Sequence, residues 1–260
     1  MAHAFIDGID IYYDMPRGRG NGEEQALALL IHGAGGSIRH WEPLLAHLSP
    51  QFCPLLIDLP GHGRSGGTVP GSVEQVVAFL DHFLQQLEVK RPLWCIGHSM
   101  GGLIAQCFAL RFPSWIERLV LIATAARIRP HTDFVQSALT GRWELEAFRP
   151  SFSMDIPMRV QNLVLYEYPK MRVDARCMDF MGLGATDLHQ EVSALHMPAL
   201  VIVGDDDVIV SPRHSRALSQ ALVHATLLVI PNGGHYVHVE QPESVARALN
   251  QYVQEAISAI

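Results

Sequence analysis

The chain has no surplus of positive charge. Its Lys and Arg number 19 against 26 Asp and Glu, a formal net charge of −7. That disfavours the phosphates of nucleic acid and the face of an anionic membrane as partners. The basic residues do not cluster either; Arg17 to Gly22 reads as a hairpin loop between two early strands. Long apolar runs are missing too, and none approaches the ~20 residues that cross a bilayer. The segment Met1 to Asp7 has no basic stretch leading into an apolar one, so no secretory signal is expected. Cysteine is scarce, and Cys53, Cys95, Cys107 and Cys177 show no metal spacing. All four read as buried small hydrophobes with reduced thiols, in a cytoplasmic protein. His235 and His238 stand three apart but lack an acidic or Cys partner at ligand spacing, so no metal is expected.

What is present is a long core and a strong alternation. Hydrophobic residues make up 48% of 260 positions, enough for one large α/β domain. A strand hairpin is expected at about 4–14 and a buried strand at 26–31, followed by a helix around 38–48. A strand at 53–58 and a helix at 72–88 come next. Strand, turn and helix fill 93–111, and further strands fall at 119–123, 199–203 and 226–230, with a last helix from 242. Alternating strands and helices imply a mostly parallel central sheet with helices on both faces.

Three strand ends carry chemistry. Gly97-His98-Ser99-Met100-Gly101 lies between an apolar strand and a helix. Small residues either side of Ser99 permit a turn tight enough to lift its hydroxyl out of the sheet. A serine needs a base and an orienting acid. His235, on the glycine-rich loop after 226–230, suits the base. One of Asp205, Asp206 and Asp207, after 201–204, suits the acid. After 26–31 comes His32-Gly33-Ala34-Gly35-Gly36, whose small residues let backbone N–H groups approach a ligand. No Lys-Ser/Thr follows it, which excludes a P-loop, and it lacks the spacing of a dinucleotide site.

These features together resemble the α/β-hydrolase superfamily, in its small single-domain serine hydrolase and esterase form. The resemblance also takes in Asp58-Leu59-Pro60-Gly61-His62-Gly63-Arg64-Ser65, Gly102, Pro198 to Asp207 and Glu240-Gln241-Pro242-Glu243. It covers nearly all of the chain outside about 125–190. It implies Ser99 as nucleophile, Asp207 as acid and His235 as base, with the Ala34 and Met100 amides as the oxyanion hole. Asp205 and Asp206 then face solvent or cap the helix after Pro212. Members with Asp at the position of Ser99 are dehalogenases or epoxide hydrolases, which argues against both activities here.

The stretch 125–190 interrupts the alternation. Residues 1–124 and 191–260 are then a hydrolase core, and 125–190 a helical cap insert. The insert holds Trp143, Phe148, Phe152, Met154, Met158, Tyr166, Tyr168, Met171, Met178, Phe180 and Met181, suited to an apolar pocket. The expected activity is cofactor-independent cleavage of an ester, thioester or lactone with an apolar moiety, through an acyl-enzyme. The substrate is a small molecule. Two alternatives keep the fold: a C–C bond hydrolase or lyase with the same triad, and a non-catalytic receptor. Tyr236 after the base, where many C–C hydrolases have Trp, lowers the first.

Overall fold

The computed structural model describes residues 2–16, 25–90, 92–129, 132, 148–166, 170 and 173–258. The hairpin loop read at Arg17 to Gly22, and Trp143, Tyr168 and Met171, lie outside them. One eight-stranded sheet runs through the molecule in the order β1-β2-β4-β3-β5-β6-β7-β8. Its strands are β1 (Ala2–Ile6), β2 (Ile9–Asp14), β3 (Ala26–Ile31), β4 (Phe52–Ile57), β5 (Leu93–His98), β6 (Ile116–Ile122), β7 (Ala199–Gly204) and β8 (Ala225–Ile230). Strand β2 is antiparallel to both neighbours, β1 and β4. From β4 to β8 every pairing is parallel. Ile6 pairs with Ile9 across Asp7-Gly8, both at positive φ, the two-residue turn whose twist matches the flanking strands.

The continuous apolar runs of β3 to β7 follow from burial on both faces. Leu27, Leu29 and Ile31 of β3 point into one core with Leu55 of β4 and Cys95 of β5. That core is covered by α2 (Val73–Gln86) and α3 (Met100–Arg111). Ala28 and Leu30 point the other way, with Trp94 and Ile96, onto Trp41 and Leu44. The short helix α1 (Glu42–Leu45) follows a 3₁₀ turn, Ile38–Trp41, so the helix expected at 38–48 is one 3₁₀ turn and one α turn and ends at 45. Strand β6 starts three residues before the expected 119.

The insert supplies α4 (Met158–Leu165) and α5 (Val173–Ala185) among the described residues. Phe148, Phe152 and Val164 form a third, smaller cluster with Tyr236 and Val239 of the core. Of the Met and aromatic side chains expected to line a pocket, Met154, Met158, Tyr166 and Met181 are instead exposed, and Phe148 and Phe152 are spent on that seating cluster. Past β7 come α6 (Pro212–Ala221), α7 (Val237–Glu240) and α8 (Pro242–Ser258). No helix among the described residues is long and apolar enough to cross a membrane.

Candidate active site

Ser99 sits at the C-terminal end of β5, in the middle of the sheet, where open α/β sheets bind ligands. Its backbone is held at φ 52°, ψ −114°. A serine there costs of order 1–3 kcal/mol, so the surroundings must over-determine it. They do. The Ser99 N–H donates to the Ile122 carbonyl at 2.9 Å, and its own carbonyl accepts from Gly102 N–H at 2.9 Å and the Thr124 hydroxyl at 2.8 Å. The glycines are required by contact. A Cβ on Gly97 would strike the Gly101 carbonyl, and one on Gly101 would strike the carbonyl of Ile31. The first turn of α3 therefore lies against the end of β3, from which Ala34 hangs. Met100 is the first helical residue, and its N–H has no intrahelical acceptor.

His235 reaches Ser99 from the loop between β8 and α7. Its Nε2 lies 2.9 Å from the Ser99 Oγ, and its Nδ1 lies 2.9 Å from Oδ2 of Asp207. An ionised carboxylate only accepts, so Nδ1 carries the proton and Nε2 is left to accept from the hydroxyl. All three side chains are buried. The other oxygen of Asp207, Oδ1, accepts the N–H groups of Ile209 and Val210, each at 2.9 Å. Asp207 is thereby locked inward. Asp205 and Asp206 are exposed, and neither caps α6. Asp206 instead accepts from the Ser153 hydroxyl of the insert at 3.0 Å.

Two further residues hold His235, and their chemistry is not evident from the sequence. His98 donates from Nε2 to the His235 carbonyl at 2.9 Å. Glu240 accepts the N–H groups of Ser153, Gly234 and Tyr236, each at 3.0 Å. Burial raises the Glu240 pKa, against the pull of those N–H groups and of His235. Glu240 belongs to the recognised motif, but only its position six residues past Gly234 hints at this bracing role. Among the described residues no cluster of metal-binding side chains forms.

A strand-ending serine bonded to a histidine, itself bonded to a buried carboxylate, can transfer an acyl group. A family model for the alpha/beta hydrolase family matches residues 28–248. The chain belongs to that family. It is 27% identical over 250 residues to 3-oxoadipate enol-lactonase 2 of Acinetobacter baylyi, covering 88% of this chain and 89% of that protein. It is 25% identical over 248 residues to the pimeloyl-acyl-carrier-protein methyl ester esterase of Pectobacterium atrosepticum, covering 87% and 93%. Among solved structures, the enol-lactonase of Burkholderia xenovorans superposes with a TM-score of 0.87 at 25% identity, covering 97% of this chain and 100% of that one.

Proposed function

We propose that this protein is a serine hydrolase that opens a small ester or lactone with an apolar moiety, through an acyl-enzyme on Ser99 and without a cofactor. One observation carries the reading: the unbroken chain Ser99 Oγ, His235, Asp207, with both links at 2.9 Å. Ser99 attacks the carbonyl carbon while His235 Nε2 takes its proton. Asp207 holds the imidazole in the correct tautomer and stabilises the imidazolium. The N–H groups of Ala34 and Met100 receive the oxyanion; in other enzymes, losing one such donor costs about 10²–10³ in rate. His235 then protonates the leaving alkoxide. Water, deprotonated by the same nitrogen, releases the acyl group.

The named relatives, a lactonase and a methyl ester esterase, support the ester and lactone class. Residues 125–190 are read as a cap over the site. The packing of Phe148 and Phe152 onto Tyr236, beside His235, supports that. Met178 packs beside Met100, Ile104 and Val73 in a crevice that His62 and Asp179 also line. All four cysteines are unpaired, in keeping with a reducing cytoplasm.

The test is a series of p-nitrophenyl esters of graded chain length together with simple lactones. Turnover is expected to favour medium acyl chains, and a fluorophosphonate is expected to add once, at Ser99. Ser99→Ala should lose activity by several orders of magnitude, as removal of a triad serine costs about 10⁶ in subtilisin. Wild-type turnover by that variant would overturn the nucleophile assignment.

A further inference from the structure

Asp179 has no part in the mechanism above, yet it is a carboxylate only 4% exposed. It stands on α5, in the insert, and both of its partners belong to the core. Its Oδ2 accepts the backbone N–H of Gly35 at 2.8 Å and the Nε2–H of His62 at 2.9 Å. The Nδ1–H of His62 donates to the Pro60 carbonyl at 3.1 Å. Both ring nitrogens of His62 face acceptors, so the ring carries both protons and pairs with Asp179 as a buried ion pair. Three titratable groups face His62: Asp179 from α5, Asp58 from the end of β4, and His32 from the end of β3, its ring 4.8 Å away. Burial opposes the charge on His62, but Asp179, Pro60 and Asp58 outweigh it and raise its pKa. His32 is neutral, donating to the Gly33 carbonyl and accepting from Leu59 N–H, and burial lowers its pKa.

The other partner of Asp179 explains the arrangement. Gly36 N–H bonds back to the Gly33 carbonyl at 3.0 Å, and Gly35 has φ +66°. Gly33-Ala34-Gly35-Gly36 is thus a tight turn with a left-handed third residue, as in type II. Turns of type I and type II differ mainly by a flip of the central peptide, here Ala34–Gly35. Asp179 grips the N–H of that peptide. A flip would swing the Ala34 carbonyl toward the side where the neighbouring Ala34 N–H, of the preceding peptide, is assigned to the oxyanion, and so would crowd that site.

We propose that Asp179, by accepting the Gly35 N–H, is a positioning residue through which the insert sets the oxyanion loop. The loop then takes its working form only with α5 seated on the core. This rests on the Ser99 and Ala34 roles proposed above.

The experiment compares Asp179→Ala and Asp179→Asn on p-nitrophenyl butyrate, with Ser99→Ala as control. Asp179→Ala is expected to lower kcat roughly 10- to 100-fold with KM changed less than about threefold, since a misaimed oxyanion donor costs somewhat less than a deleted one. Asp179→Asn keeps an acceptor for Gly35 and should recover most of kcat. A kcat within twofold of wild type for Asp179→Ala, or an equal loss in both variants, overturns the inference. Should Ala not fold, Asp179→Leu gives the same comparison at matched shape. If neither folds while Asn does, the contact serves folding and the inference falls. Inactive Ser99→Ala beside fully active Asp179→Ala sinks this inference alone, whereas active Ser99→Ala sinks the nucleophile reading and takes this one with it.

Discussion

The carboxylate of Glu240 accepts the backbone N–H of Tyr236 at 3.0 Å, and so pins the residue next to His235. Its second oxygen does the same for Gly234 on the other side of His235. His235 is therefore braced on both flanks by one side chain four to six residues downstream.

Glu240→Ala should be costly for that reason. It strands three buried N–H groups, each worth about 1–3 kcal/mol when left unpaired. A loss of roughly 3–9 kcal/mol in urea unfolding is expected, with a fall in kcat as the His235 loop loosens. Gln is not a conservative replacement here, because whichever way its amide turns the NH₂ faces a backbone N–H donor, that of Tyr236 or those of Ser153 and Gly234. Wild-type stability in Glu240→Gln would refute the bracing role.

The three adjacent aspartates make a second test. Asp207→Asn keeps the shape but removes the charge that orients His235, and the same change in the serine-protease triad costs about 10⁴ in kcat. Asp205→Asn should be nearly silent. Asp206→Asn can still accept from Ser153 and should change kcat little. The three variants are to be assayed on one ester near neutral pH. A large loss confined to position 205 or 206 would overturn the choice of Asp207.

Acid should destabilise the fold through its buried histidines. Burial pushes His32, His98 and His238 well below the ordinary 6.5, and His40 down to about 4. Between 6.5 and about 4 the unfolded chain binds more protons than the folded one, so stability falls as pH falls through that window. His40 alone accounts for about 3 kcal/mol. His62 has the opposite sign: its pKa is raised, so its contribution is present below 6.5 and is lost as pH rises through the raised value. Unfolding free energies measured from pH 7 down to pH 4 should drop steeply, and a flat profile would contradict this account.

His238 offers a sharper version. Its ring lies 4.3 Å from that of His98 and 4.7 Å from that of Trp41, and neither ring nitrogen has a hydrogen-bond partner. His238→Phe keeps the ring and removes two unpaired buried polar atoms. It should be neutral or stabilising at pH 7 and should make the acid profile shallower. Destabilisation by more than about 2 kcal/mol, the scale of a lost buried hydrogen bond, would mean that a partner is being lost.

The sheet and the position of Ser99 were legible in short stretches of residues. Buried parallel strands need apolar residues on both faces, so β3 to β7 read as unbroken runs, and a tight turn between strand and helix needs Gly97 and Gly101. These are local requirements, legible within a few residues. The choice of Asp207 over Asp205 and Asp206 came from the family resemblance, since three adjacent identical residues do not make it by themselves. It turns on which carboxylate can accept Ile209 and Val210 N–H while facing His235. The pocket expected from the Met and aromatic content of the insert was misread in part, because composition does not say which side of a short helix meets the core. Tertiary structure alone decided the meeting of Asp179 with Gly35, 144 residues away. No periodicity records a single hydrogen bond between an insert helix and a turn of the core; burial makes it strong, and only the packing of α5 brings it about.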